Sequence, residues 1–412
     1  MTATDTTPNH LVPAHLATAD PAERFVPIQT RSERPTSFDP ADFGTPTGRE
    51  VNWKLSDTKR LAPLFVDEET ETGDASGIDY DLAGLEARGL LVASSGLEAA
   101  VRGEVFRPED VVSAIAWKRC EDALHIRLPE GEVLAEPVIA RLHGTGADRH
   151  ANAHIVVEAM PGSVSTVVLH HSGSAQYAQN LEIIVREGAR LTLISVQDWQ
   201  DDTVHAAAHQ AVVGDGAYLK HMVVSFGGGV VRVNPSMRLA GHRAEGEMFG
   251  LSFSDAGQHI ESQVFMYHEG VETRGDVLYK GALQGTGARS VWIGDVLIGS
   301  DATGTDSYEK NQNLVLTDGA RADSIPNLEI KTGDIAGAGH ASATGRFDDE
   351  QLFYLQSRGI DEEEARRLVV IGFLMEIVQK IGVPEIEERL AEAIDEELRR
   401  GAGLAPASKA GA

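Results

Sequence analysis

The chain has 412 residues, 42% of them hydrophobic, enough for two or three units of globular protein at roughly 150 residues each. With 36 Lys and Arg against 63 Asp and Glu, its formal charge of −27 repels phosphate backbones and anionic lipid, which argues against nucleic acid and membrane surfaces as partners. Its single cysteine, Cys120, excludes an intramolecular disulfide and an all-cysteine metal or cluster site.

Residues 1–48 carry seven of the 16 prolines in the chain, together with Thr, Ala and Asp. Such a stretch cannot bury a core and reads as a flexible or surface-draped arm. The beginning of the chain, MTATDTTPNHLVPAHLATADPAERF, has no basic stretch followed by an apolar run. The longest apolar run, Leu368–Met375, is far short of the ~18 residues that span a bilayer, so the expected location is the cytoplasm. Residues 49–105 read as a small mixed unit, with Trp53, Leu55, Leu61, Leu64 and Phe65 as its apolar set and Ser56 or Asp57 as a helix cap.

Residues 106–345 read as a β-structured core. Leu181–Val185, Leu191–Val196 and Val291–Ile298 alternate apolar and polar residues at the period of strands. A turn containing glycine recurs between such runs, at Gly162, Gly188, Gly216, Gly287 and Gly319. The intervals are 26, 28, 71 and 32 residues, and a less regular turn near Gly241-His242-Arg243 would break the long one. One corner per interval and no helical period between strands predict a solenoid. An antiparallel sandwich or barrel is the rival reading of the same alternation.

Residues 346–400 turn helical. Asp348 can cap a short helix through Leu352, Phe353 and Leu355 that stops at Gly359. Asp361 opens a second helix, with Glu364 in capping-box position and Leu368, Ile371, Met375 and Val378 along its stripe. After Gly382 and Pro384, a third carries Ile386, Leu390, Ile394 and Leu398. Residues 401–412 read as a disordered tail.

The chain lacks a phosphate-binding P-loop, a dinucleotide-binding glycine fingerprint, a Gly-x-Ser-x-Gly elbow and a His-Glu-x-x-His zinc motif, so a non-enzymatic protein is expected. Histidines cluster at His143, His150 and His154, at His170 and His171, and at His205 and His209. They read as solvent-facing or hydrogen-bonded residues of the wall, with a metal site lined by several coils as the alternative. His340 sits in the small-residue turn Gly337-Ala338-Gly339-His340-Ala341, where its ring is free to face a partner. A reading from another class is a stand-alone β-solenoid carbohydrate-binding protein or enzyme, for which Asp198, Trp199, Asp201 and Asp202 are the nearest candidates.

Several segments in order carry a family likeness. Asn311-Gln312-Asn313-Leu314-Val315-Leu316, Ser324-Ile325-Pro326-Asn327-Leu328-Glu329-Ile330 and Phe353-Tyr354-Leu355-Gln356-Ser357-Arg358-Gly359-Ile360 resemble the carboxy-terminal signature of SufD-type subunits of the SUF iron–sulfur cluster assembly system. The resemblance implies a right-handed parallel β-helix flanked by helical regions. It also implies two partners, a SufB-type scaffold subunit and a SufC-type ATPase docking on the carboxy-terminal helices. Scaffolding without catalysis follows, with no cofactor held stably by this chain alone and a transient Fe–S cluster in the complex. SufB-type chains use cysteines on the core to build the cluster, whereas this chain has one cysteine, outside the matching segments, so SufD fits better. His340 falls on the family's interface histidine and becomes the candidate iron donor. The accompanying cysteine position is Ala338 here. Tyr354, Arg358, Gly359, Leu368 and Met375 are the docking candidates. Cys120, beside Ala116–Arg119, reads as a buried structural thiol.

Overall fold

A computed structural model describes Arg31 and residues 34–68, 77–92, 101–120, 122–346 and 349–401. The expected arm before Arg31 and the expected tail after Gly401 lie outside the described residues, as does the expected cap Asp348. Three short strands come first, β1 (Ile78–Asp81), β2 (Leu91–Val92) and β3 (Leu124–Leu128). Two long ones follow, β4 (Val138–Ala159) and β5 (Val164–Val185). Beyond them the chain alternates between two walls. One holds β6 (Arg190–Trp199), β8 (Tyr218–Phe226), β10 (Glu245–Ser254), β12 (Arg274–Leu283), β14 (Thr305–Val315) and β16 (Ile335–Arg346). The other holds β7 (Val204–Val213), β9 (Val230–Leu239), β11 (His259–His268), β13 (Arg289–Ile298) and β15 (Arg321–Ile330). From β5 onward every pairing is parallel: β5 pairs with β6 along its first half and with β7 along its second, and each later strand joins the one two places on, which is the stacking of a parallel β-solenoid.

Each coil therefore has two strands and two corners, where the glycine intervals predict one. At the first corner a ladder of backbone bonds climbs the stack: Gly162 N to Glu187 O (3.0 Å), Gly188 N to Asp215 O (2.9 Å), Gly216 N to His242 O (2.9 Å), Arg243 N to Val271 O (2.9 Å) and Glu272 N to Thr303 O (2.7 Å). Gly287 and Gly319 belong to the opposite corner, where Gly257 N reaches Thr286 O (3.1 Å) and Gly287 N reaches Gly319 O (3.0 Å). The 71-residue interval is thus a change of corner. The first ladder continues through Arg243 and Glu272, which hold φ values of 55° and 56° where other rungs have glycine. An L-residue pays a steric penalty there. Arg243→Gly is expected to stabilise the protein by about 0.5–1 kcal/mol, since the Arg243–Glu272 ion pair it removes is exposed and worth little. A urea midpoint that falls instead would contradict this.

Apolar layers inside and outside the coils hold the fold. Inward residues such as Leu193, Leu219, Met248 and Val277 fill the lumen. Outward residues of the even wall, Ile194, Met222, Phe249 and Leu278 among them, meet the carboxy-terminal helices α4 (Glu362–Val378) and α5 (Pro384–Gly401), which follow the short α3 (Asp349–Ser357). The α1 turn (Ala83–Glu86) precedes α2 (Val111–Arg119), which with Trp53, Leu61 and Leu64 covers Ala178, Ala206 and Val230 on the odd wall.

The expected starts of these helices are seen. Asp361 caps α4 by accepting from Glu364 N at 2.9 Å, and Pro384 opens α5. On α5, Ile386, Leu390 and Ile394 are buried, one per turn, so its apolar edge faces the wall. Lys280 ties α4 to β12 by donating to the Phe373 carbonyl at 2.9 Å and pairing with Glu376.

Candidate functional site

The stack ends unsealed. Among the described residues β15 pairs only with β13, and β16 only with β14, so each presents a free backbone edge at the last coil. Ile325 and Ile330 are exposed there, on β15. The mouth of the lumen between these strands is polar. Asn311 Oδ1 accepts from Asn313 Nδ2 and Ser324 Oγ, both at 2.7 Å, and Ser324 Oγ meets Ser342 Oγ at 2.8 Å. Serine and asparagine thus join β14, β15 and β16 across the mouth.

His340 stands in this mouth on β16, its side chain 45% exposed. It is register-paired with Glu309 on β14, and its Nδ1 lies 3.7 Å from Glu309 Oε1. Glu309 is 0% exposed, and neither carboxylate oxygen finds a hydrogen-bond partner among the described residues. Loss of solvation, helped by the nearby Asp295 charge, pushes its carboxyl up to about 8. Gly294 makes room for it: a Cβ there would press on both Glu309 Oε2 and the Trp292 ring. Asp295 projects to the other face of β13 and accepts from Asn327 Nδ2 at 3.0 Å. Burial also raises its carboxyl, against the pull of Arg34 and Arg31.

Tyr354, Arg358 and Gly359 come together at the end of α3. Arg358 Nη2 donates to Tyr354 Oη at 2.9 Å and its guanidinium lies 5.0 Å from that ring. Gly359 has φ 86°, which ends the helix. Phe353 and Tyr354 are 72% and 56% exposed, and Leu368 on α4 is 41% exposed. Met375 is partly buried against the wall.

Of the two forms expected for the wall histidines, hydrogen-bonded rather than solvent-facing holds for His171, His205 and His209. His171, His205, His209 and His221 are fully or almost fully buried in the lumen, not facing solvent. His209 Nδ1 meets His221 Nε2 at 3.2 Å, and His171 lies between Val196 O (2.9 Å) and Gln179 Oε1 (3.1 Å). Burial lowers His171 and His221 to about 4 and His205 to about 3, so these rings stay neutral at pH 7. A polar file runs on from them, rung by rung, through His171, Gln197, Ser225, Ser252, Gly281, Asn313 and Thr344. A void of about 10 Å³, roughly one water molecule, lies along it between Ser252 and Asn313. No group of three or more His, Cys, Asp or Glu among the described residues is placed to hold a metal ion.

Cys120 follows α2, half-buried, with its thiol on Asn152 O at 3.0 Å, and burial pushes it up to about 11. The four residues proposed for a sugar-binding or catalytic face are dispersed. Trp199 points into the lumen, Asp198 pairs with Arg389 at 3.1 Å, Asp201 accepts from Gln258, and Asp202 accepts from Ser174. No helix among the described residues is long and apolar enough to cross a membrane.

Glu309 is the residue that sequence reading missed. Its signal is faint: Ser307, Glu309, Asn311 and Asn313 share one phase of β14, all polar and all buried.

Residues 142–373 match the family model described as SUF system FeS cluster assembly, SufBD core domain. The chain is 46% identical over 368 residues to an iron–sulfur cluster assembly SufBD family protein of Mycobacterium bovis, covering 88% of this chain and 91% of that one. A family protein of Mycobacterium leprae is 43% identical over 375 residues, covering 88% and 93%. A second one from M. leprae is 30% identical over 201 residues, 49% of this chain and 23% of that protein.

Proposed function

Because the chain belongs to the SufBD family of iron–sulfur cluster assembly proteins, we propose that it is the SufD-type half of a cytoplasmic scaffold, pairing with a SufB-type subunit and receiving a SufC-type ATPase. The observation that carries this reading is the unsealed last coil. Free strand edges with exposed isoleucines are a template for another chain, and an isolated protein normally blunts them. A parallel solenoid of a paralogue is the natural continuation, and M. leprae has two family members that this chain matches.

The chain's part is structural, not enzymatic. With one cysteine it contributes little thiolate, so most sulfur donors must come from the partner. His340 supplies an imidazole at the seam, and iron and sulfide are the cargo assembled there. The exposed residues Phe353, Tyr354 and Leu368 mark the proposed docking face for the ATPase. Through Lys280, movement of α4 would be felt on the same wall that ends in β16.

Co-expression with SufB- and SufC-type subunits tests this. The three chains are expected to co-elute, and His340→Ala should leave the complex assembled while lowering its cluster content at least about tenfold. Full cluster content in that variant removes the role of His340. A chain that elutes alone in the presence of both partners overturns the scaffold reading and favours a stand-alone solenoid.

A further inference from the structure

Glu309 is an anomaly that scaffolding alone does not explain. A fully buried carboxyl whose two oxygens have no donor among the described residues is destabilising, and an apolar side chain of that size would pack without the penalty. The surroundings preserve it: Gly294 leaves the space that Oε2 occupies. The carboxylate is not aimed at a lumen cation. It points toward the register-paired ring of His340, 3.7 Å away, at the open end of the stack. Two bonds of about 2.0–2.2 Å, one to nitrogen and one to oxygen, are long enough together to span that separation.

We propose that Glu309 and His340 form a two-donor half-site for a divalent metal ion of the borderline class, such as Fe²⁺ or Co²⁺, open toward the chain that docks on the last coil. One nitrogen and one carboxylate oxygen suit that class. Two donors leave the remaining coordination positions to water in the free chain and to the partner in the complex. The inference rests on the scaffold reading for its partner, but its metal chemistry belongs to this chain.

Titration of the full-length chain with cobalt chloride, followed by absorption and calorimetry, tests it. One Co²⁺ per chain is expected, with affinity lowered at least about tenfold by Glu309→Gln and by His340→Ala, and no further in the double variant. Glu309→Gln preserves shape, and its denaturation midpoint reports whether it folds. No binding by the wild-type chain overturns the proposal, as does unchanged affinity in folded Glu309→Gln. If His340→Ala loses clusters in the complex while Glu309→Gln keeps its Co²⁺ affinity, the half-site falls and the scaffold reading stands. If both variants lose Co²⁺ while His340→Ala complexes keep their clusters, the half-site stands and the cluster role of His340 falls.

Discussion

Replacing Arg232 by alanine is expected to lower the free energy of unfolding by about 3–5 kcal/mol and to free the segment around Trp53 from the odd wall. Arg232 is 2% exposed on β9 and holds three things at once. Its Nη1 donates to Asp110 at 2.8 Å, its Nε to Glu261 at 3.2 Å, and its Nη2 to the Asn52 carbonyl at 3.3 Å. The guanidinium also stacks 3.9 Å from the Trp53 ring. Alanine leaves two buried carboxylates without their cation, and one of them, Asp110, is the cap of α2. Lysine keeps the charge but not the fork, so Arg232→Lys should fall between wild type and alanine. Denaturant unfolding and proteolysis near Trp53 measure both effects.

The same network fixes a pH dependence. Burial by itself raises the Glu261 carboxyl, but the His259 hydrogen bond and the Arg232 charge more than reverse this and hold it at about 2, against 4.5 unfolded. A depressed carboxyl stabilises the fold above its unfolded value, and that contribution is lost as the pH falls from about 4.5 toward about 2. The gap between wild type and Arg232→Ala should therefore be full at pH 7 and narrow across that interval. A gap that widens on acidification would contradict the assignment.

The solenoid was legible because its turns recur, and the helical unit because Asp361 and the Ile386-Leu390-Ile394 spacing are local signals. The corners were misread for a definite reason. Arg243 and Glu272 occupy a backbone region that normally announces itself with glycine, so one ladder disappeared between Gly216 and Gly287. The lumen histidines were hidden by phase. His170 and His171 point to opposite sides of β5, and only the stacking register shows which side is enclosed. Glu309 was harder still. On β14 the outward Tyr308, Lys310 and Gln312 are as polar as the inward Ser307, Glu309 and Asn311, so hydrophobic alternation cannot orient the strand. His340 came from family likeness, and its partner came only from the register between β14 and β16.

Gly241→Ala is expected to destabilise the protein by about 3 kcal/mol or more, and by more than Gly188→Ala, although only Gly188 has the backbone angle that favours glycine. At Gly188, φ is 63° and a Cβ would meet nothing within 4 Å, so alanine brings only the left-handed penalty of about 1–2 kcal/mol. At Gly241 the limit is space. A Cβ would fall on the Gly214 carbonyl carbon and the Asp215 nitrogen of the coil beneath, and these are backbone atoms that cannot rotate away. Gly270 repeats the arrangement against the Gly241 carbonyl, so the constraint passes from coil to coil. Relief requires the corner between β9 and β10 to lift from the corner between β7 and β8, weakening the bonds to Val213 O from Ala240 N (3.1 Å) and Gly241 N (3.0 Å). In a stack where each coil rests only on its neighbours, such a fault divides the molecule. Gly241→Ala should therefore unfold less cooperatively, with a shallower denaturant slope, and Gly188→Ala should keep the wild-type slope at a lower midpoint. Equal slopes and equal midpoints would show that coil spacing is not what glycine protects at this corner.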